Sequence, residues 1–273
     1  MRVPTGDVGL ANFNRGGNIP DSRKENMVRM GCYAFLLWFS LALDAVKADE
    51  VKVFADEPLQ YSLVRIGAAF QQETSHKVEF VFASSPAIDG RLRKGEPADV
   101  IVVQPNFIAA LTKDGQLVAS DRPTVTRVGF GLAIRTQVPA EAVSDPETLK
   151  QTLLKADSVV CNNRASGDHF VTIIDRLGMT DAIKPKISRV EPSEVFAKIL
   201  RGQGYDIAVG TLTQIKGTPG LRLIGPLPGE LQSYITYSIA QTKNTKSKDA
   251  AEAFIRFVMS PKAKVEFASA GGE

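Results

Sequence analysis

From residue 49 onward, short runs of β-branched residues alternate with stretches whose apolar residues recur every three or four positions. Residues 51–55 (VKVFA), 77–82 and 99–103 (DVIVV) read as strands. The last is almost continuously apolar, as a strand covered on both faces must be. Between them, residues 59–74 place Leu59, Leu63, Ile66 and Phe70 on one helical face, and shorter helices fit 87–93 and 107–111. Such alternation implies parallel strands with right-handed crossovers.

A second series follows. Strands fit 128–134, 158–161, 187–190, 206–209, 221–224 and 234–240. Helices fit 166–177, 193–201 and a stretch opened by Asp145-Pro146 that runs to Leu154, with proline at the first helical position. Helices over 249–259 and 261–268 close the chain. The fold class is therefore α/β, with two lobes: 49–127 plus 237–273, and 128–236. Extended crossings near 128–134 and 234–240 join them as a hinge.

Residues 1–48 read differently. Residues 1–22 are rich in Gly, Asn, Pro and Arg and show no period. Arg23, Lys24 and Arg29 then precede an apolar run over 31–45, and Val46-Lys47-Ala48 ends in a small residue. A basic start, a short apolar run and a small-residue end describe an export signal. The run falls short of the roughly 20 residues that span a bilayer, so cleavage after Ala48 is expected, an uncleaved anchor being the alternative. Met27 and Met30 are alternative starts. The expected location is periplasmic. Cleavage removes Cys32 and leaves Cys161 alone, without an internal disulfide. The net charge of +3, with basic and acidic residues interspersed, gives no footprint for nucleic acid.

Strand-to-helix loops put helix N-termini at the cleft between lobes, where unpaired N–H groups and the helix dipole favour an anion. Four loops qualify: 55–58, 83–86, 162–167 and 210–211. They supply the candidate ligand-binding residues Glu57, Pro58, Ser84, Ser85, Arg164, Ser166 and Thr211. The serine and threonine hydroxyls can donate to an anion, or can simply cap helices. Arg164 suits a carboxylate or oxyanion, or is a solvated surface residue. Arg127 is a weaker candidate. Asp56 and Glu57 sit awkwardly beside an anion; they face away, bond a ligand hydroxyl or meet a cation.

Little suggests an enzyme. The chain has two histidines, His76 and His169, and a Cys161–His169 pair is conceivable. There is no G-x-S-x-G, no Walker loop, no H-E-x-x-H and no Cys/His metal spacing. No metal and no cofactor are expected.

The ordered set of loops resembles the molybdate-binding, ModA-like branch of ABC-transporter solute-binding proteins, in a divergent substrate-binding subgroup. The likeness rests on Ser85-Pro86-Ala87-Ile88, the turn Gly95-Glu96-Pro97-Ala98-Asp99-Val100, the Ala165-Ser166-Gly167 segment, residues 204–210 and Leu227-Pro228-Gly229-Glu230-Leu231-Gln232. It implies a type II periplasmic binding fold and capture of a small anion for a membrane permease, by a chain expected to be a monomer. Ser85 matches a family serine. Pro58 stands where the family has another serine, and Thr211 where it has a tyrosine, which points toward an organic carboxylate and away from a tetrahedral oxyanion. The alternative is a secreted enzyme or a non-transport ligand sensor on the same scaffold.

Overall fold

The computed structural model describes residues 49–118 and 122–273. The leader expected over 1–48, with Cys32, lies outside the described residues.

The first series is β1 (Glu50–Asp56), a 3-10 turn (Glu57–Leu59) leading into α1 (Gln60–Thr74), β2 (Lys77–Ala83), α2 (Ser85–Arg93), β3 (Val100–Val103) and α3 (Pro105–Lys113). Strand β4 (Thr124–Arg135) crosses to the second series. That series holds α4 (Pro146–Lys155), β5 (Ser158–Asn162), α5 (Ala165–Arg176), α6 (Thr180–Ile183) and β6 (Ile187–Val190). It continues through α7 (Glu194–Arg201), β7 (Asp206–Thr211), α8 (Leu212–Gly217) and β8 (Leu221–Pro226). Strand β9 (Tyr234–Gln241) returns, and α9 (Lys248–Val258) and α10 (Pro261–Ala270) follow.

The expected strands and helices are present. Helix α6 was not foreseen, and α8 was implied only as the helix after the 210–211 loop, because four and six residues are too short to show a helical period. Strand β4 also begins four residues before the expected 128, since Thr124–Gly129 pairs with β9.

Each series contains parallel pairs: β1 with β2 and β3, and β5 with β6 and β7. The crossings are antiparallel. Strand β9 lies against β3 through Ser238–Gln241 and against β4 through Tyr234–Ser238. Strand β4 changes partners after Gly129, pairing onward with β7 and β8. The hydrogen-bonded path is therefore continuous through both lobes, and every antiparallel strand pair involves one of the crossing strands β4 and β9.

The cores stay separate. Val51, Leu63, Phe70, Phe254 and Phe267 pack on one face of the first lobe's sheet, and Phe54, Ile88, Ile101 and Leu111 on the other. Leu132, Ile134, Leu153, Phe170 and Val209 form the larger core of the second lobe, with Ala133, Val160, Val195 and Ile199 opposite. Both halves of the sheet are thus covered on both faces, which is why β3 reads VIVV with every residue buried. Core membership changes between Val128 and Phe130 on β4, and Ile235 of β9 packs against both large cores.

Two polar groups lock the architecture. In the turn before β3, Asp99 accepts hydrogen bonds from the Lys52 amide at 2.8 Å, the Thr245 hydroxyl at 2.7 Å and the Lys246 amide at 3.1 Å. It thereby ties β1 to the β9–α9 connection. At the far end of β4, the Arg135 side chain is 4% exposed. It donates to the Ile199 carbonyl at 2.9 Å, to Asp206 at 3.2 Å and to the Gly204 carbonyl. Asp206 in turn accepts from the Ser158 hydroxyl at 2.5 Å.

Candidate functional site

A cavity of about 140 Å³ lies between the lobes at the carboxyl ends of β1, β2, β5 and β7. Asp56, Glu57, Pro58 and Ser84 line it from the first lobe. Asn162, Arg164, Ser166, Gly210 and Thr211 line it from the second, and Phe130 and Ile235 come from the crossing strands. Six of the seven sequence candidates meet here; Ser85 does not.

The second lobe presents donors. Asn162 ends β5, and its side-chain oxygen accepts the amides of Arg164 at 3.0 Å and Gly167 at 3.2 Å. Its amide nitrogen donates to Ser166 Oγ at 2.6 Å, which leaves the Ser166 proton for the cavity. The first-turn amides of Ala165 and Ser166 have no carbonyl partner within α5, as at any helix start. Close approach makes this possible: a Cβ on Gly167 would lie 1.8 Å from the Asn162 carbonyl oxygen. The Arg164 guanidinium pairs with Glu191 at 2.9 Å at the rim, with side chains 67% and 55% exposed. A solvated pair of this kind leaves it a screened contribution to the site.

The first lobe presents mainly acceptors. Asp56, 5% exposed, accepts the Ser85 amide at 3.1 Å and also the Ser85 hydroxyl. Its carboxylate therefore occupies the anion position at the start of α2, where Pro86 supplies no N–H. Ser85 itself is fully buried, and its oxygen also accepts the Gln104 amide at 3.2 Å. The family-matched serine is thus committed to structure, and its exposed neighbour Ser84 faces the cavity. Thr211 is committed as well, donating to Gln214 Oε1 at 2.8 Å. The spacing Thr211-x-x-Gln214 is a capping-box pattern, a sequence signal for that role. The Glu57 carboxylate has no hydrogen-bond or ion-pair partner among the described residues. Arg127 lies elsewhere: it pairs with Glu273 at 2.6 Å and sits 4.5 Å over the Tyr234 ring.

Burial pushes the Asp56 carboxyl above the ordinary carboxylate range, against the opposing bonds from Ser85 and Gln104. Glu57 and Tyr237 of β9 are its titratable neighbours; burial raises the Tyr237 hydroxyl well above its ordinary range. A raised folded value means that Asp56 contributes stability fully below its unfolded value, and that this is lost as pH rises through the folded value. A bound anion adds to the cost of the ionised form. Were an anion such as sulfate seated here, its affinity would fall as pH rises through the Asp56 titration. Asp56→Asn should flatten that dependence in calorimetric titrations; an unchanged slope removes Asp56 from the site.

A wider crevice of about 580 Å³ adjoins the cavity, sharing Glu57, Phe196 and Gln214 with it. Tyr61, Val64 and Phe82 give it an apolar wall. Cys161 is buried, and burial pushes its thiol upward, away from the reactive thiolate. No hydrogen bond joins it to His169 among the described residues. No cluster of His, Cys, Asp and Glu suited to a metal occurs among the described residues.

Sequence reasoning missed Asn162, Phe196 and Gln214. Asn162 carried a weak signal, since Asn before a helix favours capping. Phe196 carried none, because its place depends on how α7 packs.

The description "bacterial extracellular solute-binding protein" matches residues 51–273. An aconitate isomerase from Pseudomonas sp is 26% identical over 233 residues, covering 83% of this chain and 88% of its own. The molybdate-binding protein ModA of Azotobacter vinelandii is 24% identical over 227 residues, covering 80% and 88%. Among solved structures, the periplasmic molybdate-binding protein of Azotobacter vinelandii superposes with a TM-score of 0.66 at 19% identity, over 82% of this chain and 98% of that one. The fold is that of the type II periplasmic binding proteins, two α/β lobes on two crossing strands. With a match that runs from β1 to the last residue, this chain belongs to the bacterial extracellular solute-binding protein family.

Proposed function

We propose that this protein is a periplasmic receptor that captures a small carboxylate or oxyanion between its lobes and presents it to an ABC-type permease. One observation carries the reading. Donors at the start of α5, with Ser166, face Ser84 of the other lobe across one cavity. A ligand that touches both lobes makes contacts only a closed form can offer, and so shifts the hinge toward closure. Asp56 already takes the Ser85 amide at the start of α2 and Pro86 supplies none, so the first lobe offers a tetrahedral dianion fewer amides than the second. A carboxylate, needing one such end, suits the site better. Aconitate and molybdate, in the names of two relatives, share closely spaced anionic oxygens.

The test is a thermal-shift screen of the chain from Asp49 against molybdate, sulfate, aconitate and simple monocarboxylates. A ligand at 100 times its Kd adds about 2.7 kcal/mol, a rise of roughly 5–10 °C for a domain of this size. Shifts with sugars and none with any anion would overturn the reading.

A second reading, a secreted enzyme, is favoured by Asp56: a buried carboxyl with a raised pKa in the cavity is placed to exchange a proton with a ligand. The aconitate isomerase relative supplies the probe. Conversion between cis- and trans-aconitate, followed by proton NMR and lost in Asp56→Asn, supports it. Binding of aconitate without conversion leaves the receptor alone.

A further inference from the structure

We infer that the ligand carries a hydrogen-bond donor, an ammonium or a hydroxyl group, beside its anionic group, with the anion toward α5 and the donor toward Glu57. This rests on the anion-capturing reading above and narrows its ligand class.

The two walls of the cavity differ in chemistry. The second lobe offers the α5 amides, the Ser166 hydroxyl and the rim guanidinium of Arg164. The first lobe offers two carboxylates, a proline without an N–H, and Ser84. Asp56 already accepts twice from Ser85. Glu57, only partly buried, has no such partner among the described residues, so water alone satisfies it in the open cavity and a ligand donor can take that water's place. Among the described residues, no basic residue of the first lobe lines this cavity. Arg65, in the adjoining crevice, is held by Glu266 at 2.7 Å. A ligand with negative charge at both ends would therefore press one end against Glu57. A ligand with a donor at that end replaces repulsion by a charge-assisted hydrogen bond. Glu57 also borders the wider crevice, so a substituent on the same carbon leaves toward Tyr61, Val64 and Phe82.

Six acids separate these features: propanoate, lactate and alanine, and their 3-phenyl derivatives 3-phenylpropanoate, 3-phenyllactate and phenylalanine. Calorimetric titration of the chain from Asp49 and of its Glu57→Gln variant gives the readout. In each size class the hydroxy or amino acid is expected to bind about tenfold tighter than the parent acid, or more. Glu57→Gln should weaken the amino acid by a similar factor and tighten the parent acid. Opposite signs from one isosteric change cannot arise from general damage to the fold. Parent acids that bind as tightly as their substituted forms, or a Glu57→Gln that weakens both alike, overturn the inference. If sulfate, molybdate or aconitate binds while the donor advantage is absent, only this inference falls. If none of these anions and none of the six acids binds, the anion reading falls with it.

Discussion

Replacing Arg135 by alanine is expected to lower the unfolding free energy by about 3–5 kcal/mol and the Tm by roughly 6–20 °C. The side chain is almost fully enclosed between β4, β7 and the loop after α7. Its fork satisfies two backbone carbonyls and one carboxylate at once. Alanine leaves the Ile199 and Gly204 carbonyls without this donor, and Asp206 keeps only the Ser158 hydroxyl of the two partners named above. Burying unsatisfied groups is what makes removal of one partner costly, even where the intact pair adds little net stability. The effect should stay local to the second lobe. Arg135 lies six residues beyond Gly129, about 20 Å along an extended strand, so anion affinity measured below the new Tm should not change. Thermal unfolding followed by circular dichroism checks the first part and calorimetry the second. A Tm lowered by less than about 2 °C would mean that water replaces the guanidinium without penalty.

The strands were legible because burial on both faces writes itself as continuous apolar runs, as in β3, where nothing competes with the pattern. The crossings were legible only as strands. That β4 would pair with β9 over its first half and with β7 and β8 over its second depends on partners about 80 to 110 residues away. The site follows the same division. Strand-to-helix loops marked the cavity well enough that six of seven candidates line it. What failed was the choice between neighbours. Ser84 and Ser85 are equivalent as letters, and only Asp56, 29 residues earlier, decides which hydroxyl turns inward. Asp56 and Glu57 are likewise two adjacent acids. The pairing of β1 with β2 brings Asp56 opposite Ala83, beside the start of α2, and so buries one acid and leaves the other partly exposed. These choices are made by packing between distant segments, which no local spacing encodes.

Gly167→Ala is expected to reduce anion affinity by at least about a hundredfold, a loss of roughly 2.7 kcal/mol, while costing the fold about 1–3 kcal/mol as an overpacked contact does. The added methyl would sit 1.8 Å from the Asn162 carbonyl oxygen. That oxygen belongs to the backbone of β5, paired with β6 through Asn162 and Val190, so it cannot rotate aside. The first turn of α5 must lift instead, carrying Ser166 away from the cavity and breaking the bond from the Gly167 amide to Asn162 Oδ1. Two comparisons separate position from charge. Asn162→Ala removes a cap worth about 1 kcal/mol but leaves room for the helix, so its effect on binding should be smaller. Arg164→Ala removes a cation already paired with Glu191 in solvent, so its effect should be smaller than that of Gly167→Ala and grow at low salt. The ordering is read by calorimetry with the strongest anion from the thermal-shift screen, on variants whose circular dichroism matches the parent. Gly167→Ala binding within threefold of the parent would show that the ligand is not held by the start of α5. An Arg164→Ala loss larger than that of Gly167→Ala would move the weight of recognition from backbone amides to the guanidinium.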